Sequence, residues 1–98
     1  MTTFLHIGKF VVAPEKRDDF VKLMKDYEKT VEQKGLDHSH LIEDENKLGT
    51  YWHSTIWQSR GDWVAVEATP GHREMHKKRS ALLEEPMKHD FFCGNVVM

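Results

Sequence analysis

The chain has 98 residues, which predicts one domain over residues 1–98 with a small core. Fourteen basic and sixteen acidic residues give a net charge of −2, and no long basic stripe is present, so nucleic acid is not expected as a partner. No apolar run approaches the roughly 20 residues of a membrane span, and no secretory leader pattern opens the chain. We therefore expect a cytoplasmic protein without a membrane partner.

The single cysteine is the next constraint on the chain. One thiol, Cys93, cannot form an internal disulfide, which fits a reducing compartment. Its place in an apolar strand pattern predicts a small buried residue rather than a nucleophile.

The first elements predicted are a strand and a helix. Residues 4–12 carry apolar side chains on both faces, which is typical of a strand that is covered on both sides. Pro14 fits the first turn of a helix, and apolar residues then repeat at spacings of three and four. We predict an amphipathic helix of roughly five turns that ends at Gly35.

The middle of the chain predicts a hairpin. Residues 36–42 form a weaker strand pattern, and a polar loop over residues 43–49 leads to a second run at 50–59. In that second run every other residue points to one face. This face is aromatic and partly polar, and it consists of Tyr51, His53, Thr55 and Trp57.

Two helices and a strand are predicted after the hairpin. Ser59 with Asp62 resembles a capping box before a short helix, whose buried side would be Trp63 and Val66. Thr69 and Pro70 begin a last helix, predicted to run to about Glu85 and to stop at Pro86. Its inward side is unusually polar and comprises His72, Met75 or His76, Arg79, Leu82 and Leu83. Residues 91–97 predict a closing strand, with Gly94 as a candidate bulge.

The order of these elements predicts the fold class. A β-α-β-β-α-β order is typical of the α+β ferredoxin-like fold, an antiparallel sheet with helices on one face. Because the first strand is apolar on both faces, the uncovered sheet face needs a second cover. We expect a homodimer in which two copies pack sheet on sheet.

Four segments of the sequence resemble the antibiotic biosynthesis monooxygenase (ABM) family of dimeric α+β barrels. They are residues 9–16 (KFVVAPEK), the helix that contains Phe20, residues 55–59 (TIWQS) and residues 69–73 (TPGHR). The resemblance covers nearly the whole chain and implies the dimeric α+β barrel. The family includes oxidases of polyketide aromatics, quinol monooxygenases and haem-degrading enzymes, so the resemblance leaves the activity open.

The polyketide oxidases of this family imply a pocket between the sheet and the helices. Their strand tryptophan matches Trp57, and an aromatic residue of their short helix falls at Trp63. A strand asparagine in those enzymes falls at His53, and a basic residue of the last helix falls near His76. The pocket position is therefore kept, while most of the residue types differ.

The haem degraders provide an alternative. Their axial histidine matches His76, but their first-strand asparagine falls at Gly8 and their tryptophan falls at about Val66. A second alternative is a small-ligand binding module of the same fold without turnover.

The chemistry of dioxygen indicates which residues such an enzyme needs. A phenolate or hydroquinone anion can give one electron to dioxygen directly, so neither a metal nor a flavin cofactor is required. The protein supplies a base and a water-poor pocket. We predict His76 and His53 as catalytic bases, because imidazole titrates near neutrality. The predicted substrate-binding residues are Trp57, Trp63, His72, Phe10 and Gly8.

The same side chains also have structural interpretations. Buried histidines can fill polar gaps, and the two tryptophans suit plain core packing. His38 with His40, and His72 with His76, have spacings that can chelate a metal. No neighbouring carboxylate or cysteine completes either set, so no metal site is predicted.

Overall fold

A four-stranded antiparallel sheet carries three α-helices on one of its faces. The computed structural model describes residues 3–84 and 90–98. The strands are β1 (Phe4–Val11), β2 (Leu36–Glu43), β3 (Thr50–Trp57) and β4 (Phe91–Asn95). The helices are α1 (Arg17–Thr30), which follows a 3-10 turn at Pro14–Lys16, then α2 (Arg60–Glu67) and α3 (Pro70–Ser80).

The strand order confirms the ferredoxin-like prediction. The sheet runs β2-β3-β1-β4, and each neighbouring pair is antiparallel. In this register Gly8 of β1 lies opposite His53 of β3 and Phe91 of β4. The two central strands therefore supply the middle of the face that the helices cover.

The helix-covered face of the sheet holds two hydrophobic clusters. The larger one is centred on Phe20, which is fully buried, and contains Phe10, Val12, Phe20, Met24, Tyr27, Tyr51 and Met75. The smaller one joins Phe4, Trp57 and Val66 at the other end of β1 and β3. Polar side chains occupy part of the space between the two clusters.

The first helix is shorter than the sequence predicts. It ends at Thr30, and Val31 is already extended, with φ −112° and ψ 121°. Val31 packs against the large cluster and lies close to Gly71 at the start of α3. Gly35 has a φ of +90°, but it belongs to the turn before β2. An added Cβ there would lie 2.5 Å from the Asp62 carboxyl carbon, so close packing also favours glycine.

The prediction for the end of the last helix is also wrong. Helix α3 ends at Ser80, and Leu83 instead forms an isolated bridge with Val12. The Glu84 amide donates to the Val11 carbonyl at 2.8 Å, which extends this pairing. Leu83 is therefore drawn to the end of β1 and does not share the helical face of His72. The predicted stop at Glu85 and Pro86 lies outside the described residues.

Strand β4 corrects two smaller expectations. Gly94 pairs in regular register with Leu5, so no bulge is present at this position. Cys93 is exposed rather than buried, because β4 is an edge strand. Partial burial nevertheless raises the pKa of its thiol.

The second face of the sheet carries exposed apolar side chains. Val11, Ile42, Trp52 and Phe92 alternate with the residues that face the helices, and they are 37%, 53%, 38% and 60% exposed. Together they make an apolar surface across all four strands. Within residues 3–84 and 90–98, no helix has the length and apolar character needed to cross a membrane.

Candidate functional site

A cavity of about 140 Å³ lies between the sheet and the helices, between the two hydrophobic clusters. All the site residues predicted from the sequence contribute to its lining: Gly8, Phe10, His53, Trp57, Trp63, His72 and His76. The structure adds several residues that were not predicted for the site, of which the polar ones are His6, Tyr27, Gln33, Thr55, Glu67 and Arg79. The cavity therefore combines aromatic walls with many groups that can carry or accept protons.

Gly8 leaves room for the cavity. A Cβ at this position would lie 3.2 Å from the Phe10 ring and 3.5 Å from the Phe91 ring. Any larger side chain would have to extend into the space between β1 and the helices. At the position where the resemblance places an asparagine in haem degraders, this chain therefore has a glycine packed closely against Phe10.

Trp57 forms a fixed wall of the cavity. It is 3% exposed, and its indole Nε1–H donates to Thr55 Oγ1 at 2.9 Å. The Thr55 hydroxyl donates in turn to the His6 carbonyl at 3.2 Å. A buried indole with its only donor satisfied keeps one orientation.

His6 of β1 and Trp63 of α2 form a stacked pair. Their ring centroids are 4.9 Å apart with an interplanar angle of 29°, and Phe91 approaches His6 from the other side at 5.2 Å. Burial lowers the pKa of His6, so the imidazole is neutral at pH 7.

His72 lies at the centre of a series of three hydrogen-bonded side chains. Its Nδ1 is 3.2 Å from the Tyr27 hydroxyl, and its Nε2 is 2.7 Å from Glu67 Oε2. The hydrogen bond with His72 lowers the pKa of the Glu67 carboxyl, which is therefore ionised at neutral pH. Burial raises the pKa of Tyr27 to about 12, so its hydroxyl keeps its proton.

His53 separates this cavity from a second, wider cavity of about 670 Å³ beside α1 and β2. Its Nε2 is 3.0 Å from Ser39 Oγ and 3.7 Å from Glu28 Oε1, and the Ser39 hydroxyl also donates to Glu28. Both partners face the same ring nitrogen, whereas a nucleophilic triad needs them on opposite nitrogens. The hydrogen bond with His53 is the main cause that lowers the pKa of Glu28.

His76 lies at the rim of the cavity, where it is exposed to solvent. Partial desolvation, followed by the charge of Arg79 and the neighbouring His72, lowers the pKa of His76. The neutral imidazole is therefore the form present at pH 7, and it can accept a proton. The ring centroids of His76 and His72 are 6.3 Å apart.

Arg79 is the cavity residue with the most unusual surroundings. It is 5% exposed, and its guanidinium carbon lies 4.4 Å from the centroid of the Phe10 ring. Among the residues that the structure describes, no side chain forms a hydrogen bond or an ion pair with it. Burial lowers its pKa to about 10, which still leaves it positively charged at pH 7.

The sequence contained a signal for Arg79 but not for Tyr27 or Glu67. Arg79 follows His72 by seven residues, which places both on one side of α3. Tyr27 belongs to the apolar face of α1, where its hydroxyl has no sequence signature, and Glu67 is the last residue of α2. Only the packing of three helices brings Tyr27, His72 and Glu67 together.

Over residues 3–84 and 90–98, no group of three or more His, Cys, Asp or Glu side chains is arranged to hold a metal ion. His38 and His40 are both exposed on β2. The Glu67 carboxylate lies 2.7 Å from Nε2 of His72, but the described residues around His72 and His76 form no group of this kind.

Solved structures share this fold. A conserved protein from Methanosarcina mazei Go1 superposes with a TM-score of 0.84 at 18% identity, covering 96% of this chain and 92% of that one. A Caulobacter crescentus CB15 protein, assigned to the antibiotic biosynthesis monooxygenases, gives 0.89 at 14% identity, with coverages of 99% and 92%. A Nitrosomonas europaea protein of the same assignment gives 0.85 at 14% identity, with coverages of 97% and 90%.

Sequence comparison gives the family. No curated protein matches the chain in sequence. The family model for antibiotic biosynthesis monooxygenase matches residues 3–78, which include β1 to β3, α1, α2 and most of α3. The chain belongs to the antibiotic biosynthesis monooxygenase family.

Proposed function

We propose that the chain is a monooxygenase that oxidises a small phenol or quinol of a single aromatic ring with dioxygen. The observation that carries the proposal is the aromatic-walled cavity that contains neutral His6 and His76 and one buried guanidinium. The substrate anion itself supplies the electrons. Hydroquinone and one dioxygen give hydroxybenzoquinone and one water, so the reaction balances without a separate reductant or cofactor.

The cavity volume supports a substrate of one ring. An engineered apolar cavity of roughly 150 Å³ in another protein binds benzene, and the cavity here has about 140 Å³. A single ring with one or two hydroxyl groups fills this space. A multi-ring polyketide or a porphyrin needs a much larger one, which argues against haem degradation as the alternative.

Arg79 supports an anionic intermediate. A buried guanidinium without an acidic partner is costly, because its hydration is lost and no protein charge replaces it. A phenolate oxygen within the cavity would provide that partner. Among the described acidic side chains, Glu67 has an electrostatic effect on Arg79, whose pKa it raises, and Glu67 is hydrogen-bonded to His72.

His76 is the proposed base that takes the first substrate proton. It borders both the cavity and solvent, so a proton it accepts can leave to water. Its lowered pKa keeps it unprotonated at pH 7. His53 is the second proposed base, and Trp57, Trp63, His72, Phe10 and Gly8 are the proposed substrate contacts.

We also propose that two copies form a homodimer through the apolar outer face of the sheet. Exposed Ile42, Trp52 and Phe92 on this face support the proposal, since monomers seldom leave so wide an apolar surface in water. Light scattering at micromolar concentration tests it, and a monomeric mass would contradict it. Trp52→Lys places a charge on this face and should lower the mass to that of a monomer. Val64→Lys, on the exposed side of α2, is the control and should keep the dimer mass.

Oxygen uptake on a panel of hydroquinones and phenols tests the function. We expect turnover of one-ring substrates and none of three-ring analogues. Binding without oxygen consumption across the panel would instead favour a binding module. Mixing the protein with haemin and recording the Soret band tests the haem alternative, for which we expect no shift.

A further inference from the structure

Three helices contribute one side chain each to a hydrogen-bonded series of side chains at the cavity wall. Tyr27 comes from α1, His72 from α3 and Glu67 from α2. The Tyr27 hydroxyl is 3.2 Å from Nδ1 of His72, and Nε2 of His72 is 2.7 Å from Glu67 Oε2. All three residues line the cavity in which we propose that the substrate ring binds.

The positions of the protons follow from the partners. An ionised carboxylate can only accept hydrogen bonds. Nε2 of His72 therefore carries a proton and donates a hydrogen bond to Glu67. In the uncharged form of such a ring Nδ1 has a lone pair, which can accept a hydrogen bond from the Tyr27 hydroxyl at 3.2 Å. The Tyr27 oxygen keeps its own lone pairs, which can accept a proton from another hydroxyl group.

We propose that Tyr27 is a second proton acceptor of the cavity, which takes a substrate proton while its own proton passes to His72. The substrate O–H bond breaks and a new Tyr27 O–H bond forms. The former Tyr27 proton forms the Nδ1–H bond, and the resulting imidazolium is paired with the Glu67 carboxylate. No electron is transferred in this step, and the positive charge gained by His72 balances the negative charge left on the substrate.

The inference rests on the proposed oxidation and extends it. A hydroquinone has two hydroxyl groups on opposite sides of its ring, so a base at the rim reaches only one of them. His76 lies at the rim, whereas Tyr27 is 5% exposed and belongs to the cavity wall. Burial makes a free tyrosinate unfavourable, and a transfer in which Tyr27 gives up one proton as it gains another avoids that species.

Charged and titratable groups from five elements line the cavity together with His72. They are Tyr27 of α1, Glu67 of α2, His76 and Arg79 of α3, His6 of β1 and His53 of β3. Glu67 is the carboxylate in direct contact with the ring. Removal of its charge therefore has the largest effect on protonation of His72.

The first experiment compares the two tyrosines of the chain. Tyr27→Phe keeps the ring and removes the hydroxyl, and we expect a fall in kcat of about a hundredfold on the best hydroquinone. Tyr51→Phe is the matched control, because Tyr51 is buried in the same large cluster but lines the second cavity and not this one. We expect this control to keep its rate within about twofold. A Tyr27→Phe variant as active as the parent overturns the inference and leaves the proposed oxidation intact.

The second experiment separates a relay from a structural role. Glu67→Gln keeps an acceptor near Nε2 but removes the charge, so protonation of His72 becomes less favourable. We expect a lower plateau rate and an acid limb of the rate profile that moves to lower pH. Because Glu67 also raises the pKa of His76, both profiles are recorded in a His76→Ala background. A purely structural role would lower the rate there without moving the acid limb, and an unmoved limb contradicts the relay.

The third experiment needs no turnover. NMR of the histidine ring nitrogens should show His72 with its proton on Nε2 at neutral pH, and a ring with its proton on Nδ1 overturns the inference. His76 can also take the single proton of 4-nitrophenol, so the comparison is made in a His76→Ala background. At a pH where free 4-nitrophenol is mostly protonated, His76→Ala should bind it as the coloured phenolate, and the double variant with Tyr27→Phe should not. Equal phenolate formation in both proteins assigns the proton to another base and overturns the relay. If no panel substrate is oxidised, the oxidation fails and this experiment still decides the relay.

Discussion

The space between the sheet and the helices has two parts that differ in chemistry, although the same two strands form the floor of both. In the large cluster, Phe10 of β1 lies opposite Tyr51 of β3, and both are buried against Phe20. One pair further along the same face, Gly8 lies opposite His53, and the cavity begins. A step of two residues, roughly 7 Å of strand, changes a dry core into a polar site.

This difference shows how a small domain can hold both a stable core and a cavity. The dry part consists of close-packed apolar side chains, which supply most of the stability. The cavity part buries Arg79 and several histidines, which cost stability and are retained for chemistry in our proposal. Variants of the two parts should therefore have opposite effects on folding and on activity.

The largest effect is expected in the dry part. Phe20 is fully buried, so Phe20→Ala should lower the free energy of unfolding by about 3–5 kcal/mol through lost burial and a new cavity. Urea denaturation measures the change. Val64→Ala, on the exposed side of α2, is the control and should stay within about 0.5 kcal/mol. A small loss at Phe20 would show that the large cluster is not the main core.

The next effect concerns the rim of the cavity. His76→Ala should lower turnover by about a hundredfold or more, because a general base is lost, while the fold remains. In the parent, the rate should fall as the pH decreases, since protonation of the imidazole removes the acceptor. The lowered pKa of His76 places this fall below the ordinary value of 6.5.

His38 provides the matched control for this variant. It is exposed on β2 and does not line the cavity, so His38→Ala should keep the parent rate. Oxygen uptake against pH measures both variants. If His76→Ala keeps the parent rate on an accepted substrate, the base is His53, the Tyr27 relay or water.

The third prediction contrasts stability with ligand binding at one residue. Arg79→Met removes a buried cation without a described partner, and we expect the free energy of unfolding to rise by about 1 kcal/mol. Affinity for a phenolate should fall by about tenfold or more. Lys78→Met is the control, since the preceding side chain is exposed and should affect neither quantity.

The pH dependence of the Arg79 contribution can be stated with its sign. The folded pKa of about 10 lies below the ordinary 12.5, so the unfolded chain binds more protons between these values. The contribution of Arg79 to the free energy of unfolding should therefore rise with pH only above about 10. At pH 7 the guanidinium is protonated in both states, so its cost is constant there. A destabilised Arg79→Met variant would show that the packing of the side chain on Phe10 outweighs its burial as a cation.

The smallest effect is expected where the two parts meet. Gly8→Ala places a methyl group 3.2 Å from the Phe10 ring, which narrows the cavity. We expect one-ring ligands to bind about tenfold more weakly, as measured by calorimetry, with a change in stability of about 1 kcal/mol or less. Gly61→Ala is the control, because its nearest neighbour is 3.8 Å away on the exposed side of α2. If Gly8→Ala binds one-ring ligands as tightly as the parent, the ligand binds outside this cavity.

The sequence predicted the fold well because the evidence was local. Alternating side chains gave the strands, and the Ser59 and Thr69 caps gave the starts of α2 and α3, where each side chain accepts a backbone amide. The element order then gave the ferredoxin-like sheet. The helix ends were less accurate, because Val31 and Leu83 leave their helices to make contacts with distant residues.

The sequence by itself determined which side chains face the space above β1 and β3, since alternation on a strand fixes the face of Gly8, His53 and Trp57. Only the tertiary structure decided their chemistry. Packing of α1, α2 and α3 brings Tyr27, His72 and Glu67 within hydrogen-bonding distance. The same packing buries Arg79 and leaves His76 at the rim, although both belong to one helix. Burial and partners, and with them pKa values, depend on residues distant in sequence, which spacing along the chain does not reveal.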